Sequence, residues 1–427
     1  MKKLIPLIAA LLIIHGAQAQ SVAQTRCNNF GKGMNLSNWL ESYWRTDWPD
    51  TTTYTKTDLV KMKDAGIQSL RLPVCFAMIT DTLAPYYVDT NSRVFAIVDS
   101  VIQWSADLDM NLIIDNHHQW DIFNQNWRTK QPRFTHLWSV LAQRYQHLDP
   151  DRYTLELLNE PAFGIDIDSL NEVFRITIDT IRQYTTQHTI IVSPNFSGNG
   201  QAFNNRYIPF ADSNLIYTWH SYDPYQFTHQ GFAWASPPTP LGVTFPSYIS
   251  TTEKAWHDVV HWSDTFHLPV FLGEFGTGVL ADANSRCNWI EYFGAKIDSF
   301  NMPWFYWDWK YDFSMFNSST VSHDSIMPCF SHALRLYGEE PTGINNVAAP
   351  FGLQLMPNPA NNNAPCILVT DAIGNSELQL FDITGRAIYR QTFTRQCTLP
   401  LYTFATGMYF VQVSNNGKTE TRKLLVE

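Results

Sequence analysis

The sequence predicts an α/β protein: a (β/α)8 barrel followed by a small all-β domain. Three observations carry this reading. Eight short apolar runs alternate with helical stretches before residue 340. Seven of those runs have polar or ionisable residues at their carboxyl ends. Beyond residue 351 the apolar pattern changes to period two, which suits strands with one buried face.

The strand-like runs are Gly33–Leu36, Ser69–Val74, Leu112–Asn116, Thr154–Leu158, Thr189–Ser193, Leu215–Trp219, Val270–Gly273 and Pro303–Trp307. Their starts lie 26 to 55 residues apart, room for a helix and loops each time. Asp58 to Gly66 reads as a helix closed by a glycine. Apolar faces recur at Val94, Ile97, Val98, Val101 and Ile102, and again at Leu137, Val140, Leu141 and Tyr145. Eight such units match a barrel of about 250 residues. An open doubly wound sheet is the rival, and the missing G-x-G-x-x-G after the first strand weakens it.

The first residues read as a signal peptide. Lys2 and Lys3 precede an apolar run from Leu4 to Ile14, and Ala17-Gln18-Ala19 offers a small-x-small cleavage pattern. The run is too short to span a bilayer, which takes roughly 20 residues. All fifteen tryptophans lie between Trp39 and Trp309, and the last histidine is His332. That shift, with the Gly- and Pro-containing stretch after Gly338, sets the expected domains. They are residues 1–19 signal peptide, 20–340 barrel, 341–351 linker and 352–427 β-sandwich. In the tail, Glu377–Asp382, Gly407–Val413 and Thr421–Val426 read as strands, with Asn416-Gly417 as a hairpin turn.

Composition excludes several classes. Only 16% of residues are charged, against about 25% on average. The net charge is −10 with no Lys/Arg stripe, so neither nucleic acid nor an anionic membrane is an expected partner. Six cysteines in an exported chain suit one or two disulfides plus buried thiols, with the pairing open.

Glu160 and Glu274 are the candidate chemical pair. Each ends an apolar strand, and a barrel can bring both to one mouth although 114 positions separate them. Cleaving an acetal takes a proton donor for the leaving oxygen and a second carboxylate for the developing cation. Carboxyls about 5–5.5 Å apart give retention, and wider spacing gives inversion. His117-His118 could be a metal pair, but no H-E-x-x-H accompanies it, and the reading assigns no metal and no cofactor.

Gly33-Met-Asn-Leu36, Leu70-Arg-Leu-Pro73, Asp115-Asn-His-His118, Leu158-Asn-Glu-Pro161, His220-Ser-Tyr222, Gly273-Glu-Phe-Gly276 and Tyr306-Trp307 follow one another in order. In that combination residues 27–335 resemble glycoside hydrolase family 5, within the retaining (β/α)8 glycosidases. The resemblance implies Glu160 as acid/base and Glu274 as nucleophile. It implies Asn159 on the 2-hydroxyl of the sugar, and Arg71 and Tyr222 bonded to Glu274. His117 and His220 would line the same subsite, with Trp307 as its sugar platform. Trp39, Trp120 and Trp234 are further platform candidates, and Phe227 to Gly231 with Trp234 is similar to a loop of some bacterial members. Asn35-Leu-Ser-Asn-Trp39 departs from the Asn-Leu-Gly-Asn-Thr of many endoglucanases, which leaves the polysaccharide open.

The tail resembles the type A C-terminal sorting domain of the type IX secretion system, on Leu355 to Pro359, Leu380 to Arg386, Gly407 to Val413 and Arg422 to Glu427. A carbohydrate-binding sandwich is the rival, but the tail lacks tryptophans to stack on sugars. The expected protein is a secreted or surface-attached monomer: a retaining endo-β-1,4-glucanase on cellulose or mixed-linkage β-glucan. A β-mannanase or xyloglucanase is the alternative within the fold, and a non-catalytic glycan-binding barrel the alternative from another class. Its partners would be the glycan and the secretion machinery.

Overall fold

A computed structural model describes residues 21–426, apart from 120–125, 162–164, 196–198, 204–208, 247–248, 317–324, 339–352, 357, 359, 362–364, 371, 383–385 and 417. The expected signal peptide and linker, and Trp120, lie outside the described residues. The chain divides into two compact units, Met1–Glu340 and Pro341–Glu427.

In the first unit eight parallel strands close into a barrel in chain order. They are β1 (Lys32–Asn35), β2 (Ser69–Val74), β3 (Asn111–Asn116), β4 (Tyr153–Glu156), β5 (Ile190–Val192), β6 (Leu215–Ser221), β7 (Val270–Phe275) and β8 (Trp304–Tyr306). The seam is β1 against β8, in register Gly33 to Phe305. Gly33 is required there, because a Cβ would lie 2.3 Å from the Phe305 ring. Each strand falls on a run expected from sequence, but β6 and β7 extend two residues further than the apolar pattern does. His220 and Glu274 therefore belong to strands and not to loops. β4 stops earlier than expected, at Glu156, yet Leu157 N–H still bonds Ile191 O and Asn159 N–H bonds Asn116 O, tethering the segment that leads to Glu160.

The surrounding helices bury the faces that their spacing marks. Arg93–Asp107 turns Val94, Ile97, Val98 and Val101 inward, and Trp127–Tyr145 turns Phe134, Leu137, Leu141 and Tyr145. The helix expected from Asp58 runs Lys56–Asp64; Asp58 accepts from the Thr55 backbone, and Gly66 takes a φ of +89° beyond its end.

A first helix, Val22–Phe30, carries too few apolar residues to announce itself. Its Ala23, Cys27 and Phe30 fall on one face. They pack with Ile113, Ile191, Ile216, Phe271 and Phe305 from the strands, and Arg26 ties the helix to Asp151 at 2.7 Å. Cys287 and Cys329 form a disulfide, and Cys27, Cys75, Cys366 and Cys397 are buried and stand outside it. No helix among the described residues is long and apolar enough to cross a membrane.

The second unit is antiparallel. Seven strands, β9 (Gln354–Met356), β10 (Cys366–Val369), β11 (Asn375–Phe381), β12 (Ala387–Thr394), β13 (Gln396–Leu399), β14 (Gly407–Asn415) and β15 (Lys418–Val426), form one ladder in the order β15-β14-β11-β12-β13-β10-β9. The ends of the ladder meet through an Ala360–Val426 bridge, so one curled sheet encloses Leu368, Leu378, Leu380, Leu399, Val411, Val413 and Leu424. Sequence reading found β11, β14 and β15 and missed four strands. β12 explains one miss: it buries only Phe393 of its eight residues, so no alternation shows.

Candidate active site

Arg71 organises the mouth of the barrel. It lies on β2 with no exposed surface, and burying a guanidinium is costly unless its donors are matched. Here they are. Nε and Nη2 form a two-pronged pair with Glu156 at 2.7 and 2.8 Å. Nη1 donates to Glu274 Oε1 at 2.6 Å and to Asn35 Oδ1 at 3.0 Å. Nη2 donates to Asn159 Oδ1 at 2.9 Å and stands 3.0 Å from Asp115 Oδ2.

Glu274 is the most shared of these partners. Its second oxygen accepts from the Tyr222 hydroxyl at 2.8 Å. Burial pushes the Glu274 carboxyl up, while His220, Arg71 and the Tyr222 hydroxyl draw it back. Gly273 precedes it for a steric reason: a Cβ there would lie 2.2 Å from Thr218 Oγ1.

Glu160 faces Glu274 across the mouth. Its backbone sits at φ +35°, an uncommon conformation for a residue with a side chain. Its Oε1 lies 2.8 Å from His220 Nδ1, which is also 3.7 Å from Glu274 Oε2. A register shift at Trp219/His220 sets His220 opposite Glu274 on the neighbouring strand. Such irregularities at barrel rims re-aim side chains. Burial pushes Glu160 up to about 7, opposed by Arg71. One donor atom from each of Glu160, His220 and Glu274 lies within 4.8 Å of the others. The trio has metal-ligand chemistry, but the Arg71 charge 2.6 Å from Glu274 opposes a second cation there.

His117 Nδ1 lies 2.6 Å from Asp115 Oδ2, which fixes the ring, and burial holds the imidazole well below its usual range. Trp307 lies nearly parallel to it, at 14° with centroids 5.7 Å apart. Trp307 also packs with Tyr222 and Tyr225 on Phe232, Ala235 and Phe313. Trp234 is more than half exposed beside Phe232, its Nε1 donating to Asp312 at 2.8 Å. Trp39 instead is 1% exposed, its Nε1 bonded to Asp50 O, so it is core and offers no platform.

Arg71, Asn159, Glu160, His220, Tyr222 and Glu274 thus form one bonded network, with His117 joined to it through Asp115 and Trp307 stacked on His117. Sequence reasoning missed Asn35, Asp115 and Glu156. The signal was available: Glu156 is a lone charge at the centre of the expected run Thr154–Leu158, and in the structure it ends β4.

Comparison with known proteins gives the family of the barrel. Residues 24–313 match the model of the cellulase family, glycosyl hydrolase family 5. Endoglucanase 3 of Fibrobacter succinogenes is 27% identical over 68% of this chain and 51% of its own length. Endoglucanase H of Acetivibrio thermocellus is 27% identical over 61% of this chain and 27% of its own. The chain therefore spans about half and about a quarter of these relatives. A crystal structure of Thermotoga maritima Cel5A in complex with mannotriose is 25% identical with a TM-score of 0.66, covering 73% of this chain and 99% of that one. Residues 354–427 match the secretion system C-terminal sorting domain, which marks the protein for export to the cell exterior or surface. Since the first of these family models spans more than half of the chain and its strands carry the site, the chain belongs to the cellulase family, glycosyl hydrolase family 5.

Proposed function

We propose that this protein is a secreted, retaining endo-β-1,4-glucanase that hydrolyses cellulose or mixed-linkage β-glucan by double displacement. The observation that carries this reading is the approach of Glu160 and Glu274, with oxygens within 4.8 Å, one of them held by two donors and the other not. Glu274, bonded to Arg71 and Tyr222, is kept anionic and serves as nucleophile on the anomeric carbon. Glu160 keeps its proton near neutral pH and delivers it to the leaving oxygen. It then accepts a proton from the water that cleaves the glycosyl ester. Asn159 holds the 2-hydroxyl, His117 and His220 line the subsite, and Trp307 supplies an apolar face for a pyranose ring. Residues 1–19 act as signal peptide, residues 20–340 carry the chemistry, and the tail engages the secretion machinery.

The names of the relatives support the glucan, since those reported are endoglucanases. A β-mannanase is the second reading, because the Thermotoga maritima relative has been captured with mannotriose as well as with cellobiose. Product analysis on carboxymethyl cellulose, mixed-linkage β-glucan, β-mannan and xyloglucan tests the choice. Cello-oligosaccharides with a rapid fall in viscosity are expected. Release from mannan alone would reverse the assignment.

A further inference from the structure

We propose that Glu156 is a positioning residue: it sets the plane of the Arg71 guanidinium so that one edge faces Glu274 and the other faces Asn159. The proposal rests on the reading of Glu274 as nucleophile.

Arg71 has five N–H donors on a planar fork. Glu156 takes two of them, on Nε and Nη2, in a pairing that fixes orientation as well as distance. Among the described residues no other group accepts from Nε. With that side anchored, Nη1 can only point at Glu274 and Asn35, and the remaining Nη2 donor at Asn159 and Asp115. Glu156 itself has no exposed surface, and the hydrogen bonds of its side chain come from Arg71. Its geometric influence therefore passes through Arg71, while its charge also raises Glu160 and His220 directly.

Charge is the second part of the argument. One guanidinium serves three buried carboxylates, Asp115, Glu156 and Glu274. His117 faces Asp115, while His220, Glu160 and Tyr222 face Glu274, and Glu41 stands nearby as a further buried acid. Each carboxylate dilutes the stabilisation that Arg71 gives the others. Removing the charge of Glu156 leaves more of it to Glu274, whereas removing its geometry lets the guanidinium rotate away. The two effects move different observables.

Glu156→Gln removes the charge and, with one acceptor oxygen, half of the anchor. The expected result is a kcat reduced about tenfold or more, the scale of a misplaced catalytic contact. The acidic limb of kcat/KM should move to lower pH by about half a unit or more. Glu156→Asp keeps the charge on a stem one carbon shorter. It should lower kcat while leaving the limb in place. Wild-type kcat in both folded variants would overturn the proposal, as would an acidic limb that moves upward or stays fixed in Glu156→Gln. If the Gln variant fails to fold, the kcat and limb of the Asp variant decide. Failure of both to fold would make Glu156 a fold residue and overturn the proposal too. Labelling of the unaltered enzyme with a 2-deoxy-2-fluoro glycoside, mapped by mass spectrometry, keeps the premise separate: no adduct on Glu274 would fail the nucleophile reading whatever Glu156 does.

Discussion

His220 Nδ1 stands 2.8 Å from Glu160 and 3.7 Å from Glu274, so a single imidazole bridges the two carboxylates that face each other across the barrel mouth. Burial lowers the affinity of that ring for a proton, and the Glu274 charge beside it works in the opposite direction.

The first expected outcome follows from the titration of Glu160. Burial holds Glu160 up to about 7, and a general acid must carry its proton in the free enzyme. The proton is lost as pH rises through about 7, so kcat/KM should fall on the basic side, roughly tenfold per pH unit. A pH–rate profile on a soluble β-glucan reads this directly. A basic limb above pH 9 would detach Glu160 from the acid role.

Glu274→Gln tests the partner carboxylate. The amide is nearly isosteric but forms no glycosyl ester, so turnover should drop on the order of a thousandfold or more while oligosaccharide binding persists. Circular dichroism and calorimetric titration with a cello-oligosaccharide check fold and binding. Undiminished turnover would remove Glu274 from the mechanism.

Much of this site was legible in the chain because barrel geometry converts strand ends into neighbours. Glu160, His220 and Glu274 stand at or near the ends of apolar runs, Arg71 is the one charge within its run, and closure of the barrel brings them together. What stayed hidden was the supporting layer. Asp115 and Glu156 are charges within apolar runs, on β3 and at the end of β4, where a charge announces burial but not its partner; the partner is fixed by register, as in Ile114 beside Leu155 and Asp115 beside Glu156. The strand lengths of β6 and β7 were underread for a related reason: His220 and Glu274 are polar, and polarity ends an apolar pattern even where the ladder continues. Trp39 shows the reverse failure, since an indole looks alike in sequence whether its face meets a sugar or the core.

Removal of the tail is expected to spare the chemistry. The two compact units divide between Glu340 and Pro341, and every site residue lies in the first. Residues 20–340 expressed alone should fold, melt within a few degrees of the full chain and hydrolyse a soluble glucan within about twofold of its rate. Differential scanning fluorimetry and a reducing-sugar assay measure both. An insoluble or inactive product would mean that the barrel needs the tail to complete its fold.

The final expectation is stereochemical. Glu274 lies within β7, and Glu160 follows β4 by a segment bonded to both neighbouring strands, so their approach is set by the barrel and not by loop motion. Donor atoms within 4.8 Å leave too little space for a water between carboxylate and sugar, which inversion needs at roughly 6.5–9.5 Å. With Glu274 as the proposed nucleophile, two successive inversions give net retention. Proton NMR in the first minutes of hydrolysis should show the β-anomer of the new reducing end, with the α-anomer growing in later by mutarotation. Initial release of the α-anomer would require a water-activating base at Glu274 and would overturn the double-displacement reading of this pair.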